Sequence, residues 1–456
     1  MNILLVVPKA NDKVILKDKF SMHEPLALEY IAAGVQDNHN VKILDMRLDD
    51  NLTQTLEEFQ PHIVATTGFT IHIKNCKRIF KEAKSTNPEI LTVIGGHHAT
   101  IKPEDYNEKY IDVIVIGEGV LSFKEIVQKW DKKESFEDIE GIAVIKNGKL
   151  IKTAYRPYTD LDLLPFPARQ LTQKYRPNYF ISSMGQVASI RTSLGCYFRC
   201  NYCALWQITK GEYLVRDPES VIKELSMIEE ENIFFADDES MLKAKRMLDL
   251  ADRIKSAGIK KRYRIFGRAD TIVRRPDLIE KLCEIGLHSV VVGFEGITDQ
   301  DLVKLNKGTT VSVNEEAISI LKQNGVEVCA DFIVTQDYDL DKFKQLSDYV
   351  KTLDLKVVIF PILTPLPGTQ LYESTKDQII TEDYDLYDFK HSVLPTKLPL
   401  DVFYDEFAKL HYLMFSPYRQ FIYKNFFPIT KYLPTFSQGY EILNSLKNLY
   451  RDHGIN

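Results

Sequence analysis

Residues 191–206 read RTSLGCYFRCNYCALW, and within them Cys196, Cys200 and Cys203 gather half of the six cysteines of the chain. Spaced C-x3-C-x2-C, three thiolates leave a tetrahedral ion one ligand short. A structural zinc draws its fourth ligand from a second cysteine or histidine pair at similar spacing, and none stands nearby. Cys283 or Cys329 could complete such a site only if the fold carried it there. An iron–sulfur cluster needs no fourth thiolate, because one of its irons can keep an open position for an exogenous group. Three unliganded thiols in one loop is the remaining reading. Cys76, Cys283 and Cys329 stand singly among apolar residues, as packed core thiols do.

Working outward, the loop follows the apolar run VASIRTS, which starts at Val187. Five further β-rich runs succeed it: NIFFADD, YRIFGRA, SVVVGFE, VCADFIV and KVVIFPIL, with helical segments such as PDLIEKLCEIG and NEEAISILKQNG between them. Six strands with five crossovers suit an open or partial barrel better than a flat sheet. The cysteines then lie at the carboxyl end of its first strand, where parallel α/β folds gather their chemistry. Upstream, NILLVV, VKILDM, HIVATTGF, LTVIGG and DVIVIGEG are nearly all apolar, as strands buried on both faces are. They alternate with amphipathic stretches such as IKNCKRIFKEAKSTN, which predicts a doubly wound parallel sheet. A hairpin is expected at GIAVIKNGKLIKT, where Asn147-Gly148 suits a tight turn. Pro157, Pro165, Pro167 and Pro177 then discourage regular structure. The expected fold class is α/β: a doubly wound sheet over 1–150, a proline-rich linker over 151–186, a partial (β/α)6 barrel over 187–385 and a helical, aromatic-rich C-terminal region over 386–456.

At 456 residues, 44% hydrophobic and 27% charged, the chain has the composition of ordinary globular protein. Its net charge of -6 gives no global attraction to nucleic acid or anionic lipid. No stretch reaches the ~18 uninterrupted apolar residues that span a bilayer. The start, MNILLVVPKANDK, lacks the basic and apolar regions of a secretory signal, so a cytoplasmic setting with reduced thiols is expected.

The cysteine loop and the barrel runs around it resemble the radical S-adenosylmethionine enzymes, whose CxxxCxxC signature follows the first strand of a partial barrel. The resemblance implies that Cys196, Cys200 and Cys203 hold a [4Fe–4S] cluster. In that family the open iron chelates S-adenosylmethionine, and one electron breaks the sulfonium bond to release a 5′-deoxyadenosyl radical. Tyr202 matches the aromatic set against the adenine. Asp237, Asp238 and Glu239, in FFADDES, stand where the family engages the methionyl amino group, with helix capping as the alternative. Arg268 and Asp270, in RIFGRAD, match contacts to the carboxylate and ribose, and Glu295, in GFEG, a ribose contact; structural ion pairs are the alternative. ILTPLPGTQLYE is similar to the PGTxLY segment of the cobalamin-associated branch. DFIVTQD departs from the family's glycine-containing turn beside the adenine.

With the amino-terminal domain, its GGHHA and its VIGEG, the chain resembles the cobalamin-binding radical enzymes, in the branch of hopanoid methylases and the anaerobic magnesium-protoporphyrin ester cyclase. Thr67, Gly68, Gly95, Gly96, Gly117 and Gly119 fall at the strands' carboxyl ends, where a crevice forms. There glycine serves either the close approach of a flat cofactor or tight turns. The DxHxxG segment that often supplies a histidine to cobalt is absent, PKANDKV standing in its place. Cobalamin is therefore expected without a protein histidine on cobalt, and His97 and His98 in surface or capping roles.

The implied reaction is methylation of an unactivated carbon, one S-adenosylmethionine methylating cobalamin and a second supplying the radical. A radical cyclase or rearrangement enzyme, and a non-catalytic metal-stabilised binding protein, are the alternatives. Methylthiolation fits less well, since only Cys76 precedes the barrel. The implied partners are a small-molecule or lipid substrate and a low-potential electron donor such as flavodoxin or ferredoxin. The tail, with FYDEFAKLHYLMF and FIYKNFF, either caps the barrel or forms an amphipathic surface that meets lipid.

Overall fold

The computed structural model describes residues 1–14, 19–146, 148–415 and 436–453. The chain forms two compact units. One comprises Met1–Asp12, Glu24–Pro177 and Gln207–Lys210, the other Lys13–His23, Asn178–Trp206 and Gly211–Asn456.

In the first unit, strands Asn2–Val7, Asn40–Asp45, Ile63–Thr67, Leu91–Gly95 and Val113–Val115 are parallel, in the order second, first, third, fourth, fifth. Ile3, Leu4, Leu5 and Val6 are all fully buried, so this sheet has helices to satisfy on both faces and its strands read as unbroken apolar runs. The chain leaves the first strand toward one edge and returns to build the other, which opens a crevice at the carboxyl ends of the first and third strands. An antiparallel hairpin, Ile142–Lys146 with Lys149–Lys152, extends the sheet; Asn147 of its expected turn lies outside the described residues.

The proline-rich stretch holds more structure than its composition predicts. Arg169–Asn178 forms a 3-10 run, because Pro165 and Pro167 precede it and Pro177 enters only its last turn. Side chains anchor it to the helix Leu26–Ala33 and its approach. Arg176 Nη1 lies 2.8 Å from Glu24 Oε2, the Thr172 hydroxyl donates to Glu29 Oε1 at 2.5 Å, and the Ala168 N–H donates to the Glu29 carbonyl at 3.0 Å. Glu29 is fully buried and its Oε2 has no partner. Burial, then the charge of Glu24, pushes its carboxyl up to about 8.

In the second unit, strands Gly185–Ile190, Asn232–Phe235, Arg262–Phe266, Leu287–Glu295, Glu327–Phe332 and Val357–Ile359 follow one another in parallel, with two short antiparallel strands, Phe180–Ile181 and Ser21–Met22, along the first. This is the expected partial (β/α)6 barrel. Ala188, Ile190, Ile233, Phe235, Val290, Val292, Val328, Ala330, Phe332 and Val358 pack in the core between strands and helices. Strand alternation turns the residues between them toward the concave side. The helix Leu400–Phe415 joins that core through Phe403, Tyr404 and Phe407, all fully buried. These three aromatics of the tail pack onto the barrel, while Tyr412 of the same helix is 53% exposed. FIYKNFF, residues 421–427, lies outside the described residues. Among the described residues no helix is long and apolar enough to cross a membrane.

Because Glu29 keeps its proton in the folded protein and loses it at the ordinary carboxylate pKa when unfolded, its contribution is present at low pH and lost as pH rises toward about 8. Glu29→Gln should therefore gain in unfolding free energy, measured by urea titration, over the wild type between pH 5 and pH 8, the gap widening upward by roughly 1 to 3 kcal/mol. A gap that stays constant or narrows with pH would refute the assignment.

Candidate functional site

Ser193–Gly195 pairs antiparallel with Tyr213–Val215, and this ribbon carries the cysteine loop at the end of the first barrel strand. Carboxylates from the end of the second strand fix its root. Asp237 Oδ1 accepts the Thr192 and Ser193 N–H groups at 2.6 and 2.8 Å, and its Oδ2 accepts the Thr192 hydroxyl at 2.7 Å. Asp238 Oδ2 accepts the Gly195 N–H at 2.7 Å, and Gly195 adopts φ +95°, which glycine alone takes freely. Glu239 accepts the Met241 and Arg268 N–H groups at 2.9 and 3.2 Å, and its carbonyl accepts the Tyr213 hydroxyl at 2.8 Å. Burial pushes Asp238 up to about 6 and Glu239 to about 7. Both oxygens of Asp237 are thus engaged at the root of the cysteine loop, one by backbone N–H groups and one by the Thr192 hydroxyl.

The far side of the loop is stapled twice. The Asn201 side-chain amide donates to the Lys304 carbonyl at 2.7 Å and that of Asn306 to the Arg199 carbonyl at 2.6 Å. From the PGTQLY segment, the Leu371 N–H donates to the Asn201 carbonyl at 2.9 Å. Buried Thr369 caps the short helix Gln370–Thr375 there, accepting the Tyr372 N–H at 3.0 Å and donating to the Leu366 carbonyl at 2.7 Å.

The four remaining predicted side chains of the barrel, Tyr202, Glu295, Arg268 and Asp270, are linked in pairs beside the loop. The Tyr202 hydroxyl donates to Glu295 Oε1 at 2.9 Å, and Lys307 Nζ lies 2.9 Å from the same oxygen. Glu295 holds φ +68°, an uncommon conformation outside glycine that aims its carboxylate at this pair. Arg268 is buried with its guanidinium 3.5 Å from the Phe198 ring, and it donates to Asp270 Oδ1 and to the Lys307 carbonyl, both at 2.8 Å. Arg268 and Asp270 therefore form the ion pair that the sequence left as an alternative. Lys307 had no signal beyond standing before Gly308 in a loop.

The three thiols fit a cluster with an open iron. Cys200 is buried and Cys196 and Cys203 are half-buried. Burial raises Cys196 and pushes Cys203 up to about 11, while the Phe198 and Leu205 N–H groups, aimed at the two sulfurs, favour the thiolates. Such thiolates need the positive charge of a metal centre, and N–H donors to sulfur are among the means by which proteins tune iron–sulfur clusters. Cys283, whose thiol bonds the Asn324 carbonyl, and Cys329, within the fifth strand, bring no fourth ligand, and among the described residues no group of three or more His, Cys, Asp or Glu, the loop cysteines included, is arranged around a single metal ion. A cleft of about 550 Å³ adjoins the loop, lined by Asn201, Glu295, Ile333, Gln336, Leu363 and Leu371 among others. The DFIVTQD turn, though it departs from the family's glycine pattern, lines this cleft without filling it.

At the carboxyl edge of the first unit's sheet the glycines divide. A Cβ at Gly96 would lie 2.4 Å from Thr67 Oγ1 and one at Gly68 2.9 Å from His72 Cβ, so these two serve the packing of neighbouring turns. Gly117, at φ +88°, has nothing nearer than the Tyr158 hydroxyl at 3.9 Å, and Gly95 has only ordinary contact with Val115. Gly119 lies close under Ile31. His98 is engaged at both ring nitrogens, by the Thr70 hydroxyl at 3.0 Å and by Asp105 Oδ2 at 2.9 Å. Phe69 is 56% exposed, its ring centroid 4.9 Å from that of exposed His97. A half-exposed aromatic, with open space at Gly117 elsewhere on the same carboxyl edge, fits a flat cofactor.

Fold and site together define a radical S-adenosylmethionine barrel joined to a cobalamin-type domain. A model of the B12 binding domain matches residues 13–127, and one of the radical SAM superfamily matches residues 190–350. An uncharacterized methyltransferase of Pyrococcus horikoshii is 30% identical over 387 residues, covering 82% of this chain and 83% of its own. The hopanoid C-3 methylase of Methylococcus capsulatus is 27% identical over 400 residues, covering 86% and 76%. Among solved structures, the radical S-adenosylmethionine methyltransferase TsrM of Kitasatospora setae superposes with a TM-score of 0.67 at 18% identity, over 83% of this chain and 75% of that one. The chain belongs to the cobalamin-binding family of radical S-adenosylmethionine enzymes, whose cofactors are a [4Fe–4S] cluster, S-adenosylmethionine and cobalamin.

Asp237→Asn replaces an acceptor of three loop hydrogen bonds with a group that can satisfy only part of them. Iron per chain after anaerobic reconstitution should fall at least about threefold relative to wild type, with the barrel still folded by circular dichroism. Full iron loading would show that the root of the loop does not depend on this carboxylate.

Proposed function

We propose that the protein is a cobalamin-dependent C-methyltransferase acting on an unactivated carbon of a small-molecule or lipid substrate, with a low-potential flavodoxin or ferredoxin as electron donor and the reduced cytoplasm as its setting. The observation that carries this reading is one loop presenting three thiols, two of them facing backbone N–H donors, beside a cleft large enough for a nucleoside cosubstrate. When bound, the cluster supplies the electron that breaks the sulfonium bond, and cobalamin carries the methyl group. The chain's own part is placement and exclusion of water. Cys196, Cys200 and Cys203 would hold the cluster, and Asp238 and Glu239, beside the root of the loop, are proposed to meet the amino end of the cosubstrate. Tyr202 and Glu295, held by Lys307, stand at the cleft for its adenosine end, and Arg268, paired with Asp270 under Phe198, offers positive charge toward its carboxylate. At the edge of the other unit, Thr67, Gly68, Gly95, Gly96, Gly117 and Gly119 are proposed to shape the cobalamin site, with Phe69 the surface that a flat macrocycle would cover. The similarity to a hopanoid methylase and to an uncharacterized methyltransferase, each over most of this chain, supports methyl transfer.

Anaerobically reconstituted wild-type protein, reduced in the presence of S-adenosylmethionine, should form 5′-deoxyadenosine, and Cys200→Ala should lower this by at least about a hundredfold. Cell extract supplied as substrate should yield a product heavier by one methylene. Unchanged 5′-deoxyadenosine from Cys200→Ala would overturn the ligand assignment, and a product of altered connectivity without added carbon would replace methylation with the cyclase reading.

A further inference from the structure

Within the second unit the concave side of the barrel is strongly polar, and nearly every charge on it has a partner. Arg264 donates to Ser289 Oγ at 2.7 Å, Ser183 Oγ at 2.8 Å and Glu327 Oε1 at 3.1 Å. Glu295 is held by Tyr202 and Lys307. Lys390 Nζ donates to the Phe360 carbonyl at 2.8 Å. Asp331 is the exception. Val328, Ala330 and Phe332 of its strand pack against the helices, so alternation directs Asp331 into the concavity. Its Oδ1 is sealed from solvent and makes no hydrogen bond among the described residues. A buried polar atom without a partner is expensive to keep and calls for an explanation.

The neighbours on either side indicate what would satisfy it. Asp331 is in register with Gly293 on the fourth strand and Ile359 on the sixth. A Cβ at Gly293 would collide with Glu295 Oε1, so the glycine leaves room for the Glu295 and Lys307 pair beside Asp331. Ile359 lies between Val358 and Phe360, both in the helix-side core, and so faces the concavity, where it is 42% exposed. One carboxyl oxygen without a partner therefore stands next to an open apolar wall. The charges that act on Asp331 are those of Glu295, Lys307, Lys390 and Arg264, three cations to one anion. A cationic ligand group would be repelled by those three, and an anionic one by Asp331 itself whenever it ionises. Burial, then Glu295, pushes the carboxyl up to about 8, so at neutral pH it can both donate and accept, which suits an uncharged oxygen.

We infer that Asp331 is a specificity-determining residue, taking a hydroxyl or carbonyl oxygen on an otherwise apolar substrate whose body lies along Ile359. The inference rests on the reading of the barrel as a radical enzyme's substrate chamber and narrows its substrate class: a bare hydrocarbon would leave Asp331 unsatisfied.

The probes are dodecan-1-ol and dodecane, offered to the full-length reconstituted holoenzyme at equal free concentration. Retained probe is measured after gel filtration, for wild type, Asp331→Asn and Asp331→Leu. Wild type should retain the alcohol at least about tenfold over the alkane. Asp331→Leu should lose that preference, and Asp331→Asn, which still donates and accepts, should keep most of it. Equal retention of the two probes by wild type, retention of neither, or a preference that survives in Asp331→Leu overturns the inference. Iron content and S-adenosylmethionine affinity are followed in the same samples. If both are intact while the preference is absent, the substrate-class inference fails alone; if wild type binds no S-adenosylmethionine, the enzyme reading fails first. If Asp331→Leu loses S-adenosylmethionine binding about tenfold or more, the carboxyl serves the cosubstrate's hydroxyls and the assignment to substrate is wrong.

Discussion

A loop bearing three thiols has no hydrophobic core of its own, and the rest of the site depends on how its root is fixed. Asp237 supplies that constraint by accepting two backbone N–H groups and a hydroxyl at the point where the first barrel strand turns into the loop. Burial works against it, since a carboxylate sealed from water is raised toward its neutral form. Arg246 opposes this, donating to the Thr192 hydroxyl and carbonyl at 3.1 and 3.2 Å and lowering Asp237 through its charge. The arrangement is a charge-assisted chain from one strand end to another, in which each hydrogen bond is stronger for being out of water. Gly195 and the ribbon to Tyr213–Val215 then only have to carry a direction already set.

The same trade recurs across the concave side of the barrel. Arg264 with Glu327 and Lys307 with Glu295 are paired ions, largely withdrawn from water, and such pairs add little to stability once desolvation is counted. Their value lies in geometry. Lys307 holds the Glu295 carboxyl beside Tyr202 while its own carbonyl receives Arg268, so two sides of the loop are linked through one residue. Removing Lys307 would leave Glu295 buried with only the Tyr202 hydroxyl, and removing Glu295 would leave the Lys307 ammonium buried without a counter-charge.

Elements whose signal is local were legible in the sequence. The C-x3-C-x2-C spacing and eleven apolar runs gave the loop, the parallel strands of both sheets and the order of the two units. The acidic run Asp237, Asp238 and Glu239 was legible as important but not as to its bonds, because those of Asp237 and Asp238 go to residues more than forty positions back along the chain and Glu239 also receives the Arg268 N–H from the end of the next strand. Lys307 was invisible for the same reason: its partner is chosen by a strand end with positive φ, not by spacing. The proline-rich stretch misled because proline reports only local backbone preference. Thr172 and Arg176 are held by carboxylates on a helix well over a hundred residues upstream and on its approach, and that tertiary pull outweighs propensity.

The glycines of the first unit show how far residue type alone can carry a binding site. Gly68 and Gly96 are required by their own chain, since a side chain at either would strike a neighbouring turn whatever was bound. Their presence therefore says nothing about a cofactor, whereas Gly117, with open space where a side chain would be, still admits one. The stronger indication is apolar exposure at the same edge. Phe69 stands half out of the sheet's end beside His97, at the edge where the strand order reverses and ligands of doubly wound folds collect. Leaving so large a ring in water is unfavourable, and a macrocycle laid over it recovers that free energy without any bond to the metal. Cofactor retention by covered apolar surface is thus compatible with a strand end that lacks the DxHxxG histidine.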